Sequence, residues 1–215
     1  FPIQPPEEYL KKVVAREKSI DENRAKNVAF IEHLDHSIGK IMKCLDETGL
    51  VENTLVVFTS DNGGSIPHAQ SNGALRGGKQ RMFEGGIKVP ALAFWKGKIQ
   101  PGSQTENMAL LMDLFPSFCK IAGADLNHDV DGVDVSTTIL GKPQITDNRF
   151  VFWVRREGGQ KYNGQSYYAA RYGPYKMLQN SDFEPYQYYN LKDDSMEQAP
   201  LDPEISSDFI RLRKE

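Results

Sequence analysis

The sequence has few cysteines, no large excess of either charge and no long apolar run. Each of these shortages excludes a class of protein. Two cysteines in 215 residues are too few for a disulfide-rich scaffold. The net charge is -3, acidic and basic residues are mixed along the chain, and no basic stripe favours a nucleic-acid partner. No apolar run approaches the roughly 20 residues of a membrane-spanning helix.

Cysteine placement and the missing glycosylation signal bear on location. Cys44 and Cys119 both lie on apolar faces of predicted helices, so we expect buried free thiols. The chain opens at Phe1 without Met in a proline-rich segment, which is typical of a mature or truncated product. No Asn-x-Ser/Thr sequon occurs, which favours a bacterial periplasmic or secreted protein.

Hydrophobic periodicity predicts an α/β fold over the first two thirds of the chain. The predicted elements are helices over 7–18, 21–48 and 112–122 and buried strands over 54–60 and 90–95. The second helix carries an apolar stripe from Val28 to Leu45. Continuously apolar strands are typical of a mainly parallel sheet that helices cover on both faces.

Around Asn148 the pattern changes to short aromatic-rich runs between Gly, Pro and Asn turns, which predicts an antiparallel sheet. The predicted strands are 150–155, 166–172, 175–179 and 186–190, and a closing helix is predicted over 203–214. We therefore predict an α/β part over residues 1–145 and a small antiparallel sheet with a terminal helix over residues 146–215.

A glycine-rich stretch with almost no periodicity, residues 61–88, separates the two strands predicted for the first part. Such long loops in compact domains are commonly functional or disordered. Asp61 and Asn62 directly follow a buried strand, and ligand crevices in open α/β sheets lie at the carboxyl ends of strands. Their carboxylate and amide oxygens suit a hard cation such as Ca²⁺ or Mg²⁺. An ordinary Asp-Asn-Gly-Gly turn is the alternative.

Lys79 follows Gly77 and Gly78, and an ammonium held by a tight glycine turn can bind an oxyanion. An exposed loop lysine is the alternative. Residues 73–79 also match Gly-x-x-x-x-Gly-Lys, the start of a P-loop. Gln80 stands where that motif needs Ser or Thr, and no hydrophobic strand precedes it. We therefore reject a nucleotide site.

Other polar residues are weaker candidates. His68 lies between the Asp61–Asn62 pair and Lys79, where it is a candidate to contact a bound ligand. A solvent-exposed loop histidine is the alternative. Arg155 and Arg156 are candidates to bind an anion, with solvated surface charge as the alternative.

Three ordered segments carry a family resemblance. They read Phe58-Thr-Ser-Asp-Asn-Gly-Gly64, Ser71-Asn-Gly-Ala-Leu-Arg-Gly-Gly-Lys-Gln80 and Phe83-Glu-Gly-Gly-Ile-Lys-Val-Pro-Ala-Leu-Ala-Phe-Trp95. Their combination resembles the sulfatases of the alkaline phosphatase superfamily, most of all N-acetylgalactosamine-6-sulfatase-like and arylsulfatase members. Asp113-Leu-Phe-Pro116 and Asp131-Gly-Val133 agree with it. The resemblance covers nearly the whole chain and implies the C-terminal part of a sulfatase-type α/β sandwich domain plus the small sheet.

The resemblance also implies roles for individual residues. Asp61 and Asn62 match the family's second pair of calcium ligands, with Mg²⁺ the less expected ion, and Lys79 matches the lysine that contacts the substrate sulfate. The implied activity is hydrolysis of sulfate esters on a sulfated sugar or glycosaminoglycan of the galactosamine or galactose 6-sulfate type. On this resemblance, His68 is a candidate to touch the sugar or its sulfate, and Arg155 and Arg156 are candidates to bind an anionic glycan. The resemblance also implies a lysosomal location if the protein is eukaryotic. Lys88 departs from the Arg that is usual in the family, which we expect to weaken an ion pair.

The family nucleophile is missing from the sequence. It is a formylglycine made from the Cys or Ser of Cys/Ser-x-Pro-x-Arg, and Ser65-Ile-Pro-His-Ala69 only begins like that motif. The resemblance therefore implies that the formylglycine and the first calcium-ligand pair lie upstream. The missing N-terminal half of the same domain would be a partner, and this chain alone would be inactive.

Two other functions stay open on the sequence. One is a related phosphatase or phosphodiesterase, which would usually need a histidine cluster that the sequence does not contain. The other is a non-catalytic remnant that binds glycans.

Overall fold

The computed structural model describes residues 3–142, 149–156 and 165–214. Its α-helices are α1 Glu7–Arg16, α2 Glu22–Glu47, α3 Glu84–Ile87, α4 Leu114–Ala122, α5 Ser136–Ile139 and α6 Ser207–Lys214. Its strands are β1 Val56–Thr59, β2 Ala91–Phe94, β3 Phe150–Arg156, β4 Ser166–Tyr172, β5 Tyr175–Gln179 and β6 Gln187–Asn190. Each predicted helix and strand is present. Among these described residues, no helix has the length and apolar character to cross a bilayer.

The chain forms two compact units that interleave along the sequence. The first comprises Phe1–Ser37, Asn62–Val89 and Asn148–Glu215, and the second comprises Ile38–Asp61 and Pro90–Asp147. The boundary predicted between residues 145 and 146 lies outside the described residues and stays a prediction.

The first unit is built on an antiparallel sheet in the order β3-β4-β5-β6. Aromatic and β-branched runs separated by turns favour such strands, and side chains alternate between the two faces. One face buries Ala170 and Tyr188 against Phe209 and Leu212 of α6. The opposite face buries three residues against Met82 of the glycine-rich loop: Ala169, Leu178 and Tyr189. The sheet therefore lies between the closing helix and the loop that carries Lys79.

The helices of the first unit pack through small residues. Tyr9 and Val13 of α1 contact Ala25 and Ala29 of α2, and the two alanines are fully buried. The apolar stripe of α2 is not buried along its length, since Ile31 is 61% exposed. Helix α1 has 10 residues and α2 has 26, so α1 covers only the first turns of α2.

The second unit contains β1 and β2, which pair antiparallel with Val56 opposite Phe94 and Thr59 opposite Ala91. The predicted parallel pairing of buried strands is not found in the described part of the chain. Strand β1 is half-buried, and Leu92 on β2 is 67% exposed. A continuous apolar run indicates neither the direction of the neighbouring strand nor whether another layer covers the sheet. The prediction of parallel pairing was therefore wrong for β1 and β2.

In the second unit, the side chain of Asp113 holds two loop segments together. Its fully buried carboxylate accepts hydrogen bonds from the backbone N–H of Leu110 (2.7 Å) and of Val133 (2.9 Å). Ser117 donates to the Asp113 carbonyl oxygen (2.6 Å). A Cβ at Gly132 would overlap the Met112 carbonyl oxygen. The Asp-Leu-Phe-Pro and Asp-Gly-Val motifs are thus joined by a hydrogen bond to one buried carboxylate.

The cysteines differ from the prediction in burial. Both thiols are free, as expected, but Cys44 is exposed and Cys119 is only half-buried. Cys44 lies in the second half of α2, where Ile41 on the apolar stripe is also exposed. Because nothing described covers that stripe, its apolar character does not translate into burial.

Candidate functional site

Segments of the glycine-rich loop in the first unit hydrogen-bond directly to one another through their backbones. The N–H of Gly63 donates to the Gly86 carbonyl oxygen, and the N–H of Lys79 donates to the Gly64 carbonyl oxygen, both at 2.9 Å. A Cβ at Gly63 would overlap the Gly85 carbonyl oxygen, and one at Gly78 would overlap the Gly64 carbonyl oxygen. Only glycine allows this approach, which explains why the sequence is glycine-rich here.

The side-chain amide of Asn72 joins the same backbone segments. Its Oδ1 accepts from the N–H of Gly64 (2.6 Å), and its Nδ2 donates to the carbonyl oxygens of Gly64 (3.1 Å) and Gly77 (2.9 Å). One side chain thereby satisfies three backbone groups that no helix or strand pairs. The Ser-Asn-Gly motif is therefore a positioning element for the turn before Lys79.

Lys79 is exposed on this fixed turn. Within the described residues, no ion pair involves its ammonium. The next residue, Gln80, has φ 80, a left-handed conformation that is uncommon for a residue with a side chain. Strain of this kind is concentrated at functional sites. The backbone of Lys79 is thus fixed while its charge remains accessible to an anion.

His68 ends a short 3₁₀ turn in the same unit. Its Nδ1 lies 2.7 Å from Ser65 Oγ, and its carbonyl oxygen accepts from Asn27 Nδ2 of α2 (2.7 Å). The imidazole is exposed, and the following Ala69 also has a positive φ of 59. Ser65 is next to Gly64, so the His68 and Lys79 turns both attach at residues 64–65.

The predicted metal ligands are neighbours in the sequence, and the division into units falls between them. Asp61 is exposed two residues beyond β1 in the second unit, and the adjacent Asn62 is half-buried in the first. Asn62 Nδ2 donates to the Gly63 carbonyl oxygen (2.9 Å), so its amide nitrogen is used by the backbone.

The donor atoms of Asp61 and Asn62 suit a hard cation. Ca²⁺ takes six to eight oxygen ligands. No group of three or more His, Cys, Asp or Glu residues that could hold a metal occurs among the described ranges. A carboxylate and an amide oxygen fit Ca²⁺ chemically, but this pair can form only part of a coordination shell.

Sequence reasoning missed the buried charges behind the loop. Lys176 Nζ on β5 lies 2.8 Å from Glu84 Oε1 and 2.8 Å from Glu197 Oε1, and all three side chains are buried. Glu197 Oε2 accepts from the N–H of Glu84 (2.6 Å). Burial raises the pKa of Glu197, and the neighbouring Lys176 ammonium opposes that rise. Glu84 lies 92 residues before Lys176 and 113 residues before Glu197, so no local sequence pattern indicates that the three side chains meet.

Two family models match most of the chain between them. The Sulfatase model matches residues 1–124, and the model "N-sulphoglucosamine sulphohydrolase, C-terminal" matches residues 78–210. The steryl-sulfatase of Rattus norvegicus is 36% identical over 157 residues, which is 66% of this chain and 27% of that protein. The N-acetylgalactosamine-6-sulfatase of Canis lupus familiaris is 37% identical over 152 residues, which is 68% of this chain and 27% of that protein. The chain thus spans about a quarter of the length of these relatives.

A solved structure confirms the fold. The crystal structure of Ps i-CgsB in complex with k-i-k-neocarrahexaose superposes with a TM-score of 0.87 over 100% of this chain and 46% of that one, at 24% identity. The α/β class predicted from the sequence, a sulfatase-type domain with a small antiparallel sheet, is therefore confirmed. By its family models and its fold, the chain belongs to the sulfatase family.

Proposed function

We propose that the full-length protein hydrolyses sulfate esters and that this chain supplies Lys79 to hold the sulfate and Asp61 and Asn62 to hold a metal ion. One observation carries the proposal. In a chain of the sulfatase family, an accessible lysine stands on a turn whose backbone is hydrogen-bonded to Gly64, two residues beyond Asn62.

The chemistry assigned to Lys79 follows from its setting. Sulfate ester cleavage moves negative charge onto the leaving oxygen, and a fixed ammonium stabilises that charge without reorganising during the reaction. The Lys79–Gly64 hydrogen bond and the Asn72 contacts fix the turn before substrate arrives. Lys79 would therefore act more on the transition state than on the bound substrate.

Asp61 and Asn62 would hold Ca²⁺, with Mg²⁺ the less expected ion. A bound divalent cation supplies charge neutralisation at the sulfate oxygens. The nucleophile would be a formylglycine in another part of the protein, because neither Cys44 nor Cys119 stands in a Cys-x-Pro-x-Arg motif. This chain alone would then be inactive, and the missing N-terminal half of the domain would be its partner.

The proposed substrate is a sulfated sugar or glycosaminoglycan of the galactosamine or galactose 6-sulfate type. Support comes from the similarity to an N-acetylgalactosamine-6-sulfatase, and the exposed imidazole of His68 would contact the sugar. A periplasmic or secreted location in a bacterium, or the lysosome of a eukaryote, would bring the enzyme to such substrates.

The test compares full-length parent protein with Lys79→Ala and with Lys192→Ala, an exposed lysine of the same unit. Turnover of an aryl sulfate, of a galactosamine 6-sulfate and of an aryl phosphate is measured. We expect sulfate turnover to fall about 10²-fold in Lys79→Ala and to stay within about twofold of the parent in Lys192→Ala. Faster phosphate than sulfate turnover would support the phosphatase alternative. No turnover of any ester, with glycan binding retained, would support a non-catalytic remnant.

A further inference from the structure

The segment that carries Lys79, residues 76–84, is attached to the C-terminal sheet and its following loop by polar side chains. The partners lie 75 to 121 residues away in the sequence. The contacts are Arg76 Nη1 to the Glu197 carbonyl oxygen (2.6 Å), Arg155 Nη1 to the Gln80 carbonyl oxygen (3.1 Å), Met82 N to Asn180 Oδ1 (2.7 Å) and Glu84 N to Glu197 Oε2 (2.6 Å). They bracket Lys79 on both sides.

The centre of this attachment is charged and buried. Glu84, Lys176 and Glu197 form what we call the clamp, and Lys176 and Glu197 have no exposed surface. Arg171 Nη1 lies 3.9 Å from Glu84 Oε2 and adds a second cation beside it. Buried ion pairs often stabilise a fold no better than apolar side chains of the same size would. A role in fixing one geometry explains such a group better than a gain in stability.

Backbone strain occurs at the same contacts. Gln80, held by Arg155, has φ 80, and Glu197, held by Arg76 and Lys176, has φ 55. Non-glycine residues keep such conformations only where surrounding contacts enforce them. The contacts around Lys79 therefore hold a backbone geometry that this segment would not adopt alone.

We propose that the clamp is a positioning device: Glu84, Lys176 and Glu197 set the place of the Lys79 ammonium relative to the reacting sulfate. This rests on the proposed function, in which Lys79 contacts that sulfate. The clamp residues touch no substrate themselves. Asn180 accepts a hydrogen bond from the N–H of Met82, which lies in the segment between Lys79 and Glu84. We therefore include Asn180 in the same positioning device.

The experiment uses the full-length protein with Lys176→Met, Asn180→Leu and the control Lys192→Met, each with Lys79 intact and with Lys79→Ala. Lys192 is exposed beyond β6, so its variant removes a lysine without touching the clamp. Asn180→Leu changes no charge and keeps the side-chain size, so it reports even if Lys176→Met fails to fold. The readouts are kcat and KM on an aryl sulfate, and hydrogen exchange of the Met82 and Glu84 amides.

We expect Lys176→Met to lower kcat about 10-fold or more, and Asn180→Leu about 5-fold, with KM little changed. Amide exchange at residues 82 and 84 should accelerate in both variants. In the Lys79→Ala background neither substitution should lower kcat further, because the group that they position is gone. Lys192→Met should match the parent in both backgrounds.

Two results would overturn the clamp proposal while leaving the proposed function intact. Equal losses of kcat with and without Lys79 would make the clamp merely structural while Lys79 keeps its role. Faster amide exchange with unchanged kcat would show that loop geometry does not limit the reaction. If Lys79→Ala itself has no effect, the proposed function fails first, and the clamp proposal fails with it.

Discussion

Replacing only the lysine of the clamp should lower the free energy of unfolding far more than neutralising all three of its charges. Lys176→Met leaves the carboxylates of Glu84 and Glu197 buried without the ammonium that lies 2.8 Å from each. Breaking a buried pair in this way costs about 3–5 kcal/mol. Methionine keeps most of the lysine stem, so little of that cost would come from lost packing. We therefore attribute the expected loss to uncompensated charge.

The comparison is with the neutral triple variant Glu84→Gln, Lys176→Met, Glu197→Gln. Replacing all three charges with neutral groups of similar size should change the unfolding free energy by less than about 2 kcal/mol. The assay is urea unfolding of the full-length protein followed by fluorescence, with the slope of the transition checked for each variant. A triple variant as unstable as Lys176→Met would refute the reasoning, because it would locate the loss in packing rather than in charge.

Further predictions concern single residues. Burial raises the pKa of Glu197, so the cost of its ionised form is present above its folded-state pKa and disappears as the pH falls towards 4.5. Glu197→Gln should thus compare best with the parent near pH 7 and worst below pH 4.5 in unfolding experiments; a pH-independent difference contradicts this. Asp113→Ala should destabilise by about 2–5 kcal/mol in urea unfolding, because the backbone N–H groups of Leu110 and Val133 lose their buried acceptor; a loss below about 1 kcal/mol contradicts it. Lys79→Arg should restore under a tenth of parental kcat, since a planar guanidinium cannot replace a compact ammonium in a tight turn; near-parental turnover contradicts it. The purified 215-residue chain should show no aryl-sulfate turnover above a Lys79→Ala control, because it has no nucleophile motif.

Local sequence signals predicted the elements well where turn residues punctuate them. Strands β4 and β5 match their predicted ranges to the residue, and β3 differs only by its last residue. Glycine and proline set the boundaries there, and aromatic runs favour extended backbone. The long α2 was predicted within one residue at each end, since its apolar period is sustained and Gly49 ends it.

Pairing and burial were not accessible in the same way. The direction of β2 against β1 depends on the path between them, which a strand's own residues do not encode. The exposure of Leu92 and Cys44 depends on whether another layer covers them. Lys176 reads as a surface residue in a strand of alternating character, because its partners Glu84 and Glu197 are distant in the sequence.

The composition of the glycine-rich loop explains why polar side chains from distant parts of the sequence hold it in place. A turn made of Gly63, Gly64, Gly77 and Gly78 has no side chains to bury, so apolar packing cannot fix it. Its irregular backbone also leaves N–H and C=O groups that no helix or sheet satisfies. Glu197, Asn180 and Arg155 each pair with one of those groups in segment 76–84. A loop that must present one lysine at a fixed place therefore needs polar side chains from the surrounding strands and connecting segments, and buried charge is the consequence.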